Sequence, residues 1–162
     1  MSETKQIQMP QVEHLYYINV ACDPAMQAGK VDGWTNMIIP IIGGRFEGER
    51  LQGTVRHIGA DWNTLKKGVK VNSRVRTRYV LETDDGAIIS LFTDGRMHGK
   101  LATMIKLQAN KDRYPEGFYF RQHLYFTTGD PRYAWLNHAV AFAIIGLDIP
   151  NNCVFYDAYV LK

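Results

Sequence analysis

A two-residue alternation of apolar and polar side chains runs through most of the chain and predicts β-strands. The longest example is residues 117–128, GFYFRQHLYFTT, which are rich in aromatic side chains. Their alternate positions form an apolar set, Phe118, Phe120, Gln122, Leu124 and Phe126, and a mixed aromatic and polar set, Tyr119, Arg121, His123 and Tyr125. Because successive strand side chains point to opposite faces, the first set is predicted to face the core.

Similar patterns predict the other strands. They cover residues 12–21, 36–42, 46–48, 51–58, 74–83, 87–93, 139–148 and 153–161. Pro40 cannot donate a ladder hydrogen bond, so its strand is expected at an edge or with a bulge. Asp85-Gly86 predicts a tight hairpin turn. Residues 29–33 and 63–71 are expected to be loops, Asp94-Gly95 to end a strand, and residues 96–116 to hold a short strand or helix and then a loop.

One short helix is predicted near residues 131–137, with Asp130 as its N-cap and Pro131 at its first position. The pattern contains about nine strands and no alternating β-α-β units. An antiparallel sheet of that size hides its edges by closing. The predicted fold class is therefore all-β, a single antiparallel β-barrel, with a sandwich as the alternative. The barrel domain is expected to span residues 12–162, after a flexible N-terminal tail of residues 1–11.

Residues 43–62, GGRFEGERLQGTVRHIGADW, contain five glycines set between apolar runs. Such a density indicates positive φ angles, or close backbone approaches that a Cβ atom would block. The stretch ends with a carboxylate, Asp61, beside the largest aromatic residue, Trp62. This pair is the best single candidate for a working site.

Composition narrows the classes of function. The chain has 162 residues, of which 46% are hydrophobic, which is enough for one domain with a sizeable core. Its formal charge of +3 is too nearly balanced to indicate a nucleic acid partner. Arg74, Arg76 and Arg78 alternate and are expected to form a solvated strand face, with a subunit contact or an anionic ligand as alternatives.

Cysteine use and hydropathy bear on location. Cys22 and Cys153 form no CxxC pair, which is typical of a reduced cytoplasmic protein with structural thiols. The N-terminus lacks the apolar region of a signal peptide. The longest apolar run, 139–147, is too short to span a bilayer. A cytoplasmic protein without a membrane partner is expected.

Several separated motifs occur in the same order as in a known family. They are IPIIGGRFEG at 39–48, LQG at 51–53, GADW at 59–62, RY at 78–79, DDGA at 84–87, YFR at 119–121 and WLN at 135–137. From residue 12 onward the chain resembles the bacterial and fungal family DUF3237, also called UPF0311. The resemblance implies a β-barrel domain of this length that is often oligomeric, so a homo-oligomer is expected. It does not specify a reaction.

Asp61 is the first candidate for chemistry. A carboxyl group directly after Gly59-Ala60 and beside Trp62 is expected in a partly apolar environment. Desolvation there raises the pKa of the carboxyl group towards the range useful for general acid/base catalysis. In the alternative interpretation, Asp61 accepts backbone N–H bonds and fixes a turn at the end of a strand.

Arg121 is the second candidate. It lies in the middle of a predicted strand, where an unpaired guanidinium group is rarely buried. Its planar fork suits a carboxylate. That carboxylate is either Asp61, in a structural salt bridge, or an anionic group of a ligand.

Aromatic and polar side chains are the candidates for ligand binding: Trp62, Tyr79, His123, Tyr125, Trp135 and Asn137. Trp135 and Asn137 flank the predicted short helix and could line the mouth of a barrel. Core packing by Trp135 and C-capping of the helix by Asn137 are the alternatives.

No metal and no cofactor is expected. The five histidines show no HxH or HExxH spacing, and no cysteine pair accompanies them. No GxSxG, P-loop or GxGxxG motif lies between a predicted strand and a predicted helix, so acyl-hydrolase and nucleotide chemistry are unsupported.

These features favour a cofactor-independent enzyme whose barrel mouth binds a small aromatic or conjugated carbonyl compound. In this hypothesis Asp61 transfers a proton, Arg121 holds a carboxylate or a developing oxyanion, and Trp62 and Trp135 form apolar walls. The expected reaction is an addition, elimination, isomerisation or cyclisation, catalysed by a lyase, isomerase or cyclase. Two alternatives remain open: a non-catalytic carrier barrel, and an oligomeric interaction protein that uses the aromatic face of residues 117–128.

Overall fold

The computed structural model describes residue 5 and residues 7–108 and 116–162. Parts of the predicted tail (1–4 and 6) and of the predicted loop (109–115) lie outside the described residues. The strands are β1 (Val12–Cys22), β2 (Met26–Val31), β3 (Trp34–Glu47), β4 (Gly53–Lys66), β5 (Lys70–Thr83), β6 (Ile88–Lys100), β7 (Tyr119–Thr127), β8 (Ala141–Asp148) and β9 (Cys153–Leu161). Helix α1 spans Leu101–Gln108, and 3₁₀ helices span Pro131–His138 and Ile149–Asn151.

Eight of these strands close into an antiparallel barrel. Their hydrogen-bonded order is β1-β9-β8-β7-β6-β5-β4-β3, and β1 also pairs with β3, which completes the ring. The additional strand β2 pairs with the first part of β3. The predicted all-β barrel of about nine strands is confirmed. Its closure leaves the eight ring strands without an exposed edge.

One end of the barrel interior is filled by large apolar side chains. Tyr16 packs against Phe46 and Phe126, with ring centroids 5.5 and 6.3 Å apart. The 3₁₀ helix Pro131–His138 adds its buried residues Tyr133 and Leu136 at this end. Helix α1 follows β6 and therefore lies at the opposite end, where an open cavity can form.

The two faces of β7 are as predicted. Phe120, Gln122 and the other members of the apolar set are buried, while Tyr119, His123 and Tyr125 are exposed. The alternate arginines of β5 are likewise exposed on the outer face. The alternation therefore identifies correctly which side chains face the barrel interior.

The predicted loop at residues 63–71 is wrong, because β4 continues to Lys66 and β5 begins at Lys70. Asn63 is buried on the inner face, whereas Lys66 is exposed on the outer face. The outer face of the barrel is solvated, so polar residues are compatible with a strand here. The polarity of this segment was a misleading signal for a loop.

The predicted loop at residues 29–33 is also wrong. β2 and β3 form a hairpin whose turn residues have positive φ angles, 50° at Asp32 and 81° at Gly33, as in a type I′ turn. All six residues of β2 are exposed, so the strand has no hydrophobic pattern. The third error concerns Asp94-Gly95, which does not end a strand: Gly95 lies within β6 and is paired with both neighbouring strands.

The glycine-rich stretch has the close backbone approaches that its sequence predicts. At Gly59 the φ angle is +106°, and a Cβ atom would collide with the carbonyl oxygen of Arg78 on β5. The ladders shift register between Pro40 and Gly44 and again between Val55 and Gly59. Of the two expectations for the strand that contains Pro40, an edge position or a bulge, the register shift after Pro40 agrees with the bulge.

The predicted short helix is confirmed as the 3₁₀ helix Pro131–His138. The Asp130 carboxylate accepts a hydrogen bond from the Arg132 N–H at 3.0 Å, and Pro131 stands at the first position. Within the described ranges, none of the helices has the length and apolar character needed to cross a lipid bilayer.

Candidate functional site

A cavity of about 520 Å³ lies at the end of the barrel near α1. All eight ring strands and α1 contribute side chains to its wall, and most of these are apolar, among them Val20, Ile39, Ile41, Val75, Phe120 and Leu147. This volume is in the range of small-molecule sites, which are commonly about 300–1,000 Å³. The barrel is therefore filled only at its other end.

Asp61 lies on the cavity wall, two residues after the bulge in β4. Its Oδ2 accepts a hydrogen bond from Asn63 Nδ2 at 3.0 Å, and its Oδ1 accepts one from the Arg76 N–H at 2.9 Å. Burial raises the pKa of the Asp61 carboxyl group, while hydrogen bonds to the carboxylate partly oppose this rise. The site thus holds a carboxyl group that gains a proton more readily than one in water.

A short polar network fixes this carboxyl group. Asn63 Oδ1 accepts a hydrogen bond from the buried Ser73 hydroxyl at 2.8 Å. Thr77, which is directly paired with Asp61, also faces the cavity. The network ties the inner faces of β4 and β5 together beside the cavity.

Three buried tyrosines lie at the inner end of the cavity. The Tyr79 and Tyr156 hydroxyls are in hydrogen-bond contact, and the Tyr156 hydroxyl lies 3.4 Å from that of Tyr16. Tyr79 and Tyr156 line the cavity. Burial raises the pKa of all three phenols well above the usual range, so they remain neutral hydroxyl groups.

The rim of the cavity combines exposed charges with apolar side chains. Asp23 and Lys67 are exposed at the rim, together with Leu101 and Ile105 of α1. Cys22 also lies there, and burial raises its pKa to about 12, so its thiol is not activated. Cys22 forms no disulfide.

Of the eight predicted site residues, Asp61 and Tyr79 line the cavity. Arg121 does not form the salt bridge with Asp61 that was one of its two predicted roles, because Arg121 lies on the outer face of β7. There its Nη1 donates to the Phe120 carbonyl at 2.9 Å, and its guanidinium lies 5.0 Å from the centre of the Tyr119 ring. Because successive side chains of a strand point to opposite faces, Arg121 points outward while its neighbour Phe120 points inward.

Three of the predicted binding residues also lie on the outer surface. Trp62 is 50% exposed and Tyr125 is 53% exposed. His123 is exposed on the same face as Tyr125, with ring centroids 6.3 Å apart. Each is an outward-facing position of its strand, so none of these three predicted binding residues lies on the cavity wall.

Trp135 and Asn137 lie at the filled end of the barrel, so their predicted place at the mouth is also wrong. Trp135 packs against the core, and the Arg50 guanidinium lies 3.5 Å from its ring centre. The Asn137 amide bonds both the N–H and the carbonyl of Thr128, each at 2.8 Å. Core packing of Trp135 is confirmed, whereas Asn137 joins its helix to β7 and does not cap the C-terminus, where Ala139 stands.

Asn63, Gln122 and Tyr156 also line the cavity but were not predicted as site residues from the sequence. Gln122 had a usable signal, because it was predicted on the apolar face of β7, where a polar side chain is unusual. Asn63 was hidden by the incorrect loop. Tyr156 stands at an inward position of an alternating strand, as any core aromatic residue does, and only the closed barrel brings its hydroxyl to that of Tyr79.

In the part of the chain that the structure describes, no group of three or more His, Cys, Asp or Glu side chains is arranged to hold a metal ion. The polar side chains that line the cavity include Asp61, Asn63, Tyr79, Gln122 and Tyr156.

Known proteins with similar sequences and structures identify the fold family. The family described as "Protein of unknown function (DUF3237)" matches residues 10–161. A UPF0311 protein of Rhodopseudomonas palustris (strain TIE-1) is 30% identical over 126 residues, covering 78% of this chain and 81% of that protein. The family match spans all the motifs on which the sequence resemblance is based.

Solved structures agree with this assignment. A β-barrel-like protein from Acinetobacter baumannii AYE is 38% identical and superposes with a TM-score of 0.82, covering 98% of this chain and 100% of that one. An enzyme from Penicillium herquei has a TM-score of 0.66 at 19% identity, covering 98% and 99%, so its similarity concerns the fold alone. The chain belongs to the DUF3237 family, whose relative in Rhodopseudomonas palustris carries the name UPF0311.

Proposed function

We propose that this protein binds a small aromatic or conjugated carbonyl compound in the barrel cavity and catalyses proton transfer on it without a cofactor. The observation that carries the proposal is Asp61, a carboxyl group with a raised pKa on the wall of a largely apolar cavity of about 520 Å³. Such a group is suited to general acid/base catalysis near neutral pH. The Penicillium herquei enzyme has the same fold, which is compatible with catalysis.

The proposed step begins with the ionised form of Asp61. Its carboxylate removes a proton from a carbon next to the ligand carbonyl, and the electron pair of the C–H bond moves to form an enolate. Asp61, now protonated, returns the proton to another carbon in an isomerisation. In an elimination, the enolate electrons instead expel an oxygen leaving group from the neighbouring carbon, which leaves an enone, and the leaving group takes the proton from Asp61. Addition and cyclisation are the reverse: Asp61 removes the proton of a hydroxyl group as its oxygen adds to an enone, and then gives that proton to the carbon next to the carbonyl.

The developing negative charge needs a donor, and Tyr79 replaces Arg121 in this role. Tyr79 lines the cavity and its phenol stays neutral, so its hydroxyl is proposed to donate a hydrogen bond to an enolate oxygen. Tyr79 lies two residues along β5 from Thr77, the direct partner of Asp61. The acid/base group and the oxyanion donor thus belong to adjacent strands, on one side of the cavity.

The experiment is a thermal-shift screen of the protein against phenolic acids, enones and small lactones, followed by product analysis for each hit. A ligand present at about 100 times its Kd stabilises a protein by about 2.7 kcal/mol, which gives a measurable shift. Wild type is compared with Asp61→Asn, which removes the titrating group but keeps the shape of the side chain. We expect a hit that wild type converts and that Asp61→Asn binds without converting.

The matched control is Asp23→Asn, which makes the same substitution at an exposed carboxylate on the rim. It tests whether loss of a negative charge near the cavity is sufficient to stop turnover. Full turnover by Asp61→Asn would overturn the assignment of Asp61. Loss of turnover in both variants would indicate a general electrostatic effect instead of proton transfer.

A non-catalytic carrier is the second candidate. The observation that favours it is that both carboxylate oxygens of Asp61 already accept hydrogen bonds within the protein. In a carrier, the same walls bind the ligand and Asp61 only holds Asn63 in place. An NMR titration separates the two: a carrier is supported if Asp61 titrates near the usual value of about 3.9 and hits are recovered unchanged.

We also propose that the chain forms a homo-oligomer through the outer face of β7. Tyr119 and Tyr125 are large aromatic residues that are 42% and 53% exposed on this face. Aromatic side chains of this kind are enriched in interfaces. Light scattering at micromolar concentration is expected to give a mass above that of one chain, and the double substitution Tyr119→Ser with Tyr125→Ser is expected to lower it.

A further inference from the structure

Gln122 is the unusual side chain of the cavity wall. It is 7% exposed, lies on the inner face of β7 and lines the cavity. Across residues 7–108 and 116–162, its side-chain amide has no hydrogen-bond partner. Among the described residues, the unpartnered side-chain atom that is fully enclosed is Thr93 Oγ1, so the Gln122 amide is instead open to the cavity and can pair with a ligand or with water there.

The wall around Gln122 is shaped to leave this amide accessible. Gly95, its direct partner on β6, has no side chain, and a Cβ atom there would lie 2.9 Å from Gln122 Cβ and 3.4 Å from Oε1. Thr93, two residues along the same face of β6, is fully buried and its hydroxyl oxygen also lacks a partner among the described residues. Thr93 does not line the cavity, so Gln122 is the group of the two that a ligand reaches.

The position of Gln122 places a ligand between it and Asp61. Asp61 is on β4 and Gln122 is on β7, three strands away in a ring of eight. Both side chains point inward, so they face each other across the cavity. A ligand that spans the cavity therefore has Asp61 on one side and Gln122 on the other.

We propose that Gln122 selects the ligand by pairing its amide with a neutral edge that carries a donor beside an acceptor. Lactams, amides and the enol forms of dicarbonyl compounds have such an edge. The chemistry follows from the side chain, since a primary amide offers an N–H donor and a carbonyl acceptor side by side and carries no charge. The inference rests on the proposed function, because it requires a ligand in the cavity, and it narrows the carbonyl compounds to those with this edge.

The experiment uses two probes of the same size and shape, 3,4-dihydroisoquinolin-1(2H)-one and 1-tetralone. The first is a lactam with both a donor and an acceptor, whereas the second is a ketone with an acceptor only. Dissociation constants are measured by protein-observed NMR for wild type and for Gln122→Met, which keeps the length of the side chain and removes the amide. We expect Gln122→Met to weaken the lactam about tenfold and the ketone about threefold, as loss of two and of one neutral hydrogen bond implies.

Gln52→Met is the matched control, because Gln52 is exposed outside the cavity and its replacement is expected to leave both constants unchanged. Melting temperatures provide a second readout. Because no described protein group pairs with the Gln122 amide, its removal is expected to leave the melting temperature of Gln122→Met unchanged or raise it, and Gln122→Leu is expected to behave in the same way. A clear fall in both variants would show that the amide has a structural role and would overturn the inference.

The outcomes separate the inference from the proposed function. If wild type binds both probes and Gln122→Met weakens them equally or not at all, the selection by Gln122 is overturned while the binding cavity stands. If wild type binds neither probe at millimolar concentration, the proposed ligand class of the cavity is overturned, and the inference with it.

Discussion

The Asp61 carboxylate and the Asn63 amide, two residues apart on the inner face of β4, are joined by a hydrogen bond of 3.0 Å. The Asn63 carbonyl is itself held by the Ser73 hydroxyl at 2.8 Å. An amide at position 61 can be accommodated if the Asn63 side chain rotates by 180° and the Ser73 hydroxyl turns to accept. Replacement of Asp61 by Asn therefore removes the charge with little disturbance of the network.

This relationship predicts the effect of Asp61→Asn on stability. The pKa of Asp61 is raised, so the folded protein binds this proton more tightly than the unfolded chain does. The stability of wild type then falls as pH rises from the ordinary value of 3.8 through the folded-state pKa. Ionisation of Asp61 lowers the free energy of unfolding of wild type by about 1.4 kcal/mol for each unit of pKa shift. Asp61→Asn cannot ionise at this position, so the variant does not lose this stability.

Melting temperatures between pH 3.5 and 8 test this expectation. Asp61→Asn should match wild type at the acidic end and melt a few degrees higher at neutral pH. Asp23→Asn, at the exposed rim, should follow the wild-type pH dependence. A constant difference between Asp61→Asn and wild type at every pH would contradict the raised pKa.

Tyr79→Phe tests the role of the buried hydroxyl. It removes one partner of Tyr156 in the tyrosine cluster and should lower the free energy of unfolding by about 1–2 kcal/mol. It should also slow turnover of an identified substrate by about tenfold or more while changing its binding little, because the hydroxyl acts on the developing oxyanion. Denaturant unfolding and steady-state kinetics measure the two effects.

The control for this variant is Tyr125→Phe, which removes a hydroxyl from the exposed outer face. It should change the free energy of unfolding by less than about 0.5 kcal/mol and leave turnover intact. Equal loss of activity in the two variants would remove Tyr79 from the mechanism.

Arg121→Gln tests the corrected position of Arg121. Its guanidinium lies on the outer surface against Tyr119, so ligand binding and turnover in the cavity should be unchanged. Stability should change by no more than about 1 kcal/mol, as is usual for surface charges. A large rise in KM, measured beside wild type, would show that the guanidinium reaches the ligand after all.

Gly59→Ala and Gly29→Ala separate two reasons for glycine. Both positions have positive φ angles, +106° and +95°, but only at Gly59 would the new Cβ atom collide with backbone, the carbonyl of Arg78. Gly29→Ala should cost about 1–2 kcal/mol for the backbone conformation alone. Gly59→Ala should cost several kcal/mol or prevent folding, because backbone atoms of β5 must move. Similar melting temperatures for the two variants would contradict this distinction.

The alternation of β7 shows how much of the fold the sequence determines. Phe120 and Leu124 favour the side of the strand that faces the core, and Arg121 and His123 favour the side that faces solvent. The side chains of β7 are therefore sufficient to orient this strand. The type of fold follows for the same reason, since many such strands must close. The alternation of apolar and polar residues does not predict β2, because all six of its residues are exposed and the strand is held by backbone hydrogen bonds.

The candidate site was less predictable, because it depends on which strands become neighbours. Asp61 was identified from its glycine-rich surroundings. Its predicted salt bridge with Arg121 required the Arg121 side chain to point into the barrel, whereas this position of β7 points outward. Tyr79 and Tyr156 are separated by 77 positions in the sequence, and only ring closure brings their hydroxyls together. Gln122 lines the cavity and Arg121 does not, which follows from their alternate positions on β7.

The pairing of β1 with β9 has a consequence for the synthesis of the protein. β1 contains residues 12–22, and its partner β9 contains residues 153–161, almost the whole chain later. The barrel therefore cannot close until β9 has been synthesised, and until then β1 and β8 each present an edge to other chains. Folding is expected to be slow, since the pairing of β1 with β9 joins segments that lie far apart in the sequence.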